Sequence, residues 1–376
     1  EGTRAAINFL QSLRDMLAGN SKSSVNVTVK WDGAPAIFAG INPENDKFFV
    51  GTKGVFNVSP KINYTNADID ANHSSAGLNA KLKVALKYLS KLGIKNVLQG
   101  DMLFTKEDLK TEKIDGKSYT TFQPNTILYA VPTDSSAKIL KAKMGIVWHT
   151  TYTGKKLEDM KASFGASVSS LTKTSDVWFS DANYEDKSGT INFNKSETDN
   201  ITSVLSKAGR TFQTLDSGFM KNLLSKKDIL LLIKTYSNVK VRAGEEITNT
   251  SKHVDDIIEY VNVKIQKDVD KVKTQSSKDK KTKYKEEIMK YLLVNKSQLK
   301  KIFDMQNLLI QSKTLVIRKL EKAKGAMGTF IRTDNGFRVT APEGFVAIDN
   351  SGKAVKLVDR LEFSRANFTA AKAWDK

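Results

Sequence analysis

Residues 5–17 (AAINFLQSLRDML) place Phe9, Leu13 and Met16 or Leu17 at helical intervals, which predicts an amphipathic helix at the start of the chain. The rhythm then changes. Val25-Asn26-Val27-Thr28-Val29-Lys30 alternates branched apolar residues with others at a period of two and runs into Trp31-Asp32-Gly33, so a strand delivers Lys30 into a turn. Pro35–Ile41 and Lys47–Thr52, joined by Asn42-Pro43-Glu44-Asn45-Asp46, predict a β-hairpin directly after it. Residues 78–92 set Leu82, Leu86 and Leu89 along one helical face, and strands are expected at 96–103, 125–131 and 145–150.

From about residue 191 to 325 the pattern turns leucine-rich and lysine-rich with helical spacing, including the runs 222–233, 254–271 and 281–324, and few strand signals remain. Lys271–Lys285 is the most polar part and reads as a flexible link or a charged helix end. After Gly325 short strands return at 328–333, 336–340, 344–349 and 354–359, so the last segment is expected to rejoin the first domain. No stretch offers the roughly 18 to 20 apolar residues of a membrane span, and no charged segment followed by an apolar run opens the chain. No membrane partner is expected.

Charge changes this picture most. The formal net charge is +19, and residues 191–325 hold 28 Lys+Arg against 16 Asp+Glu, so +12 lies in that third of the chain. Such a surplus favours a polyanionic partner, with nucleic acid the first candidate and a merely solubilising surface the bland alternative. Cysteine is absent, which removes disulfides and thiolate chemistry and fits a reducing cytoplasm. His73, His149 and His253 are scattered without metal-ligand spacing and read as ordinary surface or core residues. Gly116-Lys117-Ser118 is not a phosphate loop, because Thr111 stands where that loop needs glycine.

Alone, Lys30-Trp31-Asp32-Gly33 is a lysine before a common Asp-Gly turn. Four further motifs follow it in order: Gly51-Thr52-Lys53-Gly54, Gln99-Gly100-Asp101-Met102-Leu103-Phe104, Glu343-Gly344-Phe345-Val346 and Val355-Lys356-Leu357-Val358. Together they resemble the ordered motifs of the covalent nucleotidyltransferases, the ATP-dependent DNA ligases, RNA ligases and messenger-capping enzymes. The resemblance covers about residues 25–131 and 326–368 and leaves the helical third unexplained. The fold it implies is α+β: a ligase adenylation-domain-like core of antiparallel sheets with flanking helices in 1–190 and 326–376, plus a basic all-helical insertion in 191–325.

The chemistry such residues serve can be stated independently. A lysine amine attacks the α-phosphorus of ATP only when neutral, so neighbouring cations or desolvation must lower its pKa. Lys53, Lys356 and Mg²⁺ are the candidates, Mn²⁺ being the alternative ion, and fixed positive charge would stabilise the transition state. The resemblance implies that Lys30 forms lysyl-AMP, that Asp32 and Gly33 shape its loop, and that Thr28 faces the adenine. It implies further that Lys53 contacts ribose or acceptor phosphate, that Asp101, where glutamate is usual, contacts a ribose hydroxyl, and that Glu343 binds the metal. Lys356 matches the first of two lysines in the last motif. The second falls on Val358, so Lys353 or Arg360 would have to substitute. An aromatic ring is expected on the adenine, with Tyr129 and Trp148 as candidates or else as core residues.

The Thr-Lys-Gly form around Lys53 looks closer to phage-type RNA ligases, which would place the protein in a host cytoplasm. Only eight residues follow Phe368, whereas most DNA ligases and capping enzymes carry a further β-barrel after the last motif. The expectation is therefore an RNA ligase joining a 5′-phosphate to a 3′-hydroxyl. A compact DNA ligase and a degenerate nucleotidyltransferase kept for nucleic-acid binding or assembly are the alternatives. The native start may lie upstream of Glu1, and sequence leaves the oligomeric state open.

Overall fold

The computed structural model describes residues 2–19, 25–183, 192–322, 327–333, 336–340, 343–349, 354–359 and 361. The architecture is α+β, and the chain divides into two compact units. One holds the sheets, drawn from the strands up to residue 181 and from Ile317–Val358. The other holds the opening helix and Phe193–Val316.

The sheet unit contains β1 (Val25–Lys30), β2 (Ala36–Ile41), β3 (Phe48–Gly51), β4 (Val97–Thr105), β5 (Lys110–Ile114), β6 (Lys117–Phe122), β7 (Leu128–Pro132), β8 (Met144–Thr153), β9 (Lys161–Phe164) and β10 (Val177–Asp181). It closes with β11 (Gly328–Thr333), β12 (Gly336–Val339), β13 (Gly344–Asp349) and β14 (Ala354–Val358). Three sheets result. Their orders are β1-β13-β14, β10-β8-β4-β2-β3 with β9 on β8, and β12-β11-β7-β6-β5. Among the pairings between these strands only β8–β10 is parallel.

The first strand sits where the alternation predicts, and the last four fall within about a residue of expectation. Strands β5 and β6 were not foreseen, although their turn is signalled. Asp115 (φ 49°) and Gly116 (φ 78°) both take left-handed backbone, as a two-residue Asp-Gly hairpin requires.

Two helices flank the large sheet, α2 (Asn66–Asn72) and α3 (Ala76–Leu89). Leu82, Ala85 and Leu89 of α3 pack with Ile37, Met102, Ile146 and Trp148, forming the core beneath β2, β4 and β8. A short α4 (Ala137–Lys141) precedes β8.

The helical unit begins with α1 (Gly2–Leu17), which packs against α5 (Lys195–Gln213). Arg14 donates to Thr202 at 3.3 Å, and the Phe193 N–H donates to the Leu17 carbonyl at 2.6 Å. The opening helix thus groups with the helices, whereas the sequence reading placed it with the nucleotidyltransferase core. Helices α6 (Ser217–Ser225), α7 (Lys227–Ala243), α8 (Thr250–Asp270), α9 (Gln275–Val294) and α10 (Lys296–Leu320) follow α5 without an intervening strand. The run expected at 281–324 is broken at Asn295 into α9 and α10. Lys271–Lys285 is a turn followed by helix.

Caps explain where these helices start. Asn194 and Glu197 form a reciprocal capping box on α5, and the Asp216 and Asn249 side chains accept from the first turns of α6 and α8. Helix α7 ends at Gly244 in left-handed backbone. Helix α8 buries Val254, Ile257, Ile258, Val261 and Ile265 in one stripe at helical spacing. No helix among the described residues is long and apolar enough to cross a membrane.

Candidate active site

Lys30 ends β1, a strand held on both edges. On one side β13 pairs antiparallel with it, and on the other the Val29 N–H donates to the Ala182 carbonyl at 2.7 Å while Thr28 bridges to Asn183. Register decides which residues share the face of Lys30. Thr28 lies opposite Val346, which lies opposite Lys356; Lys30 lies opposite Gly344, which lies opposite Val358. Side chains alternate across a sheet, so Thr28, Lys30, Lys356 and Val358 belong to one face. Phe345, Ala347 and Leu357 point the other way into the core, each no more than 1% exposed.

Glu343 immediately precedes β13, and its carboxylate accepts a hydrogen bond from Lys30 Nζ across 313 residues of sequence. It is buried, and burial raises its pKa above the usual carboxylate range, with the Lys30 charge and hydrogen bond working against that shift. Gly344 has φ +147°, and a Cβ there would lie 2.2 Å from the Leu357 carbonyl. Only glycine fits between Glu343 and the strand.

The loop after Lys30 is tied down by Asp32. Its carboxylate accepts from Asn125 Nδ2 at 2.8 Å and from the Thr126 and Ile127 N–H groups at 2.7 Å each. Burial pushes the Asp32 pKa up, and these hydrogen bonds pull it back. The Asp32 N–H donates to the Tyr129 hydroxyl at 2.8 Å, and the Tyr129 ring lies 5.3 Å from that of Trp31. Gly33 passes so close to β4 that a Cβ would come within 2.5 Å of Asp101 Cβ. This close approach carries the chain from the Lys30 loop into β2, where Ala36 pairs with Asp101.

The two aromatic candidates are core residues here. Trp148 is wholly buried under Gly100, whose Cβ would meet the indole at 2.8 Å, and Tyr129 is 2% exposed with its hydroxyl engaged by the Asp32 backbone. Neither offers a free ring face. Lys53 is exposed, just beyond the last paired residue of β3; since Gly51 pairs with Phe38, it lies at the end of the sheet where Ala36 meets Asp101. Lys356 is exposed on the Lys30 face, while Val358 is half-buried in line with Lys30. Lys353 and Arg360 lie outside the described residues.

A family model described as a family of unknown function (DUF6267) matches residues 1–372. The chain belongs to that family. No curated protein and no solved structure matches it. The DUF6267 match runs through both compact units, so the helical segment is part of what this family shares.

One residue of the DUF6267 site carries no motif signal. Between Gln99↔Thr150 and Gly100↔Trp148 the register slips, leaving His149 on a bulge of β8. Its Nε2 stands 3.7 Å from Asp101 Oδ2 and its Nδ1 lies 2.8 Å from Thr150 Oγ1. Bulges re-aim side chains beside functional sites, but a bulge is set by pairing and leaves no trace in single-sequence periodicity. Among the described residues no group of three or more His, Asp or Glu is arranged to hold a metal ion. The carboxylates near Lys30 are those of Glu343, Asp32 and Asp101; Asp32 and Asp101 both add to the burial that raises the Glu343 pKa, and Asp32 is already engaged by Asn125, Thr126 and Ile127. Hard oxygen ligands of this kind suit a Mg²⁺ held chiefly by substrate phosphates and water.

Proposed function

We propose that this chain is an ATP-dependent polynucleotide ligase acting through lysyl-AMP, with RNA as the preferred substrate. The observation that carries the reading is the meeting of Lys30 with buried Glu343, two residues that the resemblance assigns to one reaction centre. Lys356 on the same sheet face and Asp101 beside Gly33 support it.

In this reading the Glu343 carboxylate holds Lys30 Nζ in place until ATP binds, and Nζ loses its proton to solvent beside the cationic groups gathered at the site. The neutral amine attacks the α-phosphorus of ATP, pyrophosphate leaves, and AMP is carried as a phosphoamide on Nζ. It then passes to a 5′-phosphate, and a 3′-hydroxyl displaces it. Asp32 holds the Lys30 loop rigid throughout, so the amine does not have to be repositioned. Mg²⁺, when bound at Glu343 and Asp101, would neutralise charge on the phosphate oxygens.

Val358 and the buried rings of Tyr129 and Trp148 favour a second reading, a nucleotidyltransferase-like domain retained for binding or assembly. Incubation with α-labelled ATP and Mg²⁺ separates the two. Covalent label that disappears in Lys30→Ala is expected; a chain that takes up none, or keeps it without Lys30, ends the ligase reading. Parallel sealing of nicked duplex DNA and of RNA ends then ranks the substrates, faster DNA sealing reversing the preference for RNA.

A further inference from the structure

The first three turns of α9 contribute nothing to a core. No residue from Gln275 to Glu287 is buried, and Ile288 is the first that is. Helices in proteins are ordinarily held by burying one face, so this stretch lacks the usual reason to be helical. What it carries instead is charge. Lys271–Lys285 contains seven lysines against the single carboxylate of Asp279.

Three hydrogen bonds fix the arm to its own unit. Lys281 Nζ donates to the Asp268 carbonyl at 3.0 Å, Lys285 Nζ to Gln266 Oε1 at 2.7 Å, and the Tyr284 hydroxyl to Asp228 at 2.6 Å. Both lysine acceptors are neutral, so neither ammonium is compensated. Lys271 lies 3.7 Å from Asp268, while Lys273, Lys280 and Lys283 have no carboxylate at ion-pair distance among the described residues. Like charges three and four apart destabilise a helix. A segment that keeps them, with no core to serve, is shaped for something outside the chain.

We propose that the arm formed by the α8–α9 turn and the first three turns of α9 is a docking surface for the phosphate backbone of a polynucleotide. Its composition argues against other anions. Val272 and Tyr284 are its only large apolar residues, too few for the buried anchors of a protein interface or the apolar face that a lipid surface demands. Phosphate backbones need neither, only ammonium groups that displace counterions. The proposal deepens the ligase reading by locating the nucleic-acid contact, and it needs neither Lys30 nor ATP.

The test uses the full chain with fluorescein-labelled single-stranded RNA and duplex DNA of equal length across a salt series. The variant Lys273→Gln/Lys280→Gln/Lys283→Gln is expected to bind roughly tenfold more weakly and to lower the salt slope by about 2 to 3, the charges it removes. Lys95→Gln/Lys138→Gln/Lys141→Gln changes net charge equally in the sheet unit and is expected to keep both. Unchanged binding by the first variant, equal weakening by the second, or displacement of RNA by polyglutamate as readily as by unlabelled RNA overturns the proposal. Circular dichroism confirms that each variant is folded. A Lys30→Ala protein that takes no label yet binds RNA with full slope supports the arm, whatever a labelling failure of the wild-type chain does to the ligase reading.

Discussion

The two units treat polar residues in opposite ways. The sheet unit draws them inside: Thr28, Asp32 and Glu343 are each no more than 5% exposed, and Asp32 alone joins four hydrogen bonds. The helical unit leaves its charge in water and lines its core with Val254, Ile257, Val261 and Leu292. Reaction chemistry needs fixed groups in a dry setting, which a sheet supplies by bringing distant strands into register. Recognition of a polyanion needs only charge at a surface, which a helix supplies from one continuous stretch. The contrast explains why the candidate reaction centre is assembled from both ends of the sequence and the candidate docking arm from fifteen consecutive residues.

Asp32→Ala is the strongest way to break that contrast. It leaves the Asn125 amide and the Thr126 and Ile127 N–H groups without their acceptor, and a loss of about 4 kcal/mol is expected in urea unfolding. A loss below about 1 kcal/mol would mean that the buried network does not hold the Lys30 loop. Gly344→Ala comes next, at about 3 kcal/mol, because the new Cβ meets the Leu357 carbonyl and the backbone is held at positive φ. Its adenylation should fall together with its stability; normal labelling would detach Glu343 from the site.

The helical unit also buries a few polar side chains, Thr250, His253 and Ser312, and the histidine yields the third prediction. His253 is buried between Tyr236 and Phe303, with Nε2 finding no hydrogen-bond partner among the described residues. Burial lowers its pKa, Lys240 acts in the same direction, and Asp256 opposes them. The folded state therefore prefers the neutral ring. Stability is full above the unfolded value near about pH 6.5 and is lost as pH falls from there toward the lower folded value. Urea midpoints should drop between about pH 6.5 and 5 in the wild type and less in His253→Phe, and equal drops in both would place the titration elsewhere.

The smallest effect belongs to Arg332→Ala. Arg332 donates to both oxygens of Glu112, joining β11 to β5 at the margin of their sheet, and holds the Glu112 carboxyl below its usual range. Both residues are partly exposed, so about 0.5 to 1 kcal/mol is expected, present above the ordinary carboxylate pKa and lost as pH falls through the depressed one. A difference that persists at acid pH would point to packing of the Arg332 guanidinium on Phe337.

Much of the fold was legible in local pattern. Alternation put β1 at residues 25–30, leucine spacing found α3, and valine and isoleucine at helical intervals found α8. The Asp115-Gly116 turn is equally local, since an Asp-Gly pair is the ordinary signal of a two-residue hairpin. What failed to show in the sequence depended on partners far along the chain. The grouping of α1 with α5, the bulge that exposes His149 to Asp101, and the burial of Trp148 under Gly100 are all set by pairing and packing.

By itself, then, the sequence determined the period of each element, the turn that receives Lys30 and the concentration of charge in the helical third, because each is a property of neighbouring residues. Tertiary structure alone decided that Lys30 meets Glu343, that Lys356 shares its face and that Tyr129 secures Asp32 instead of lying open. The reason is register: sliding one strand by a single residue would exchange its faces, and nothing local to β1 records which residue of β13 lies opposite.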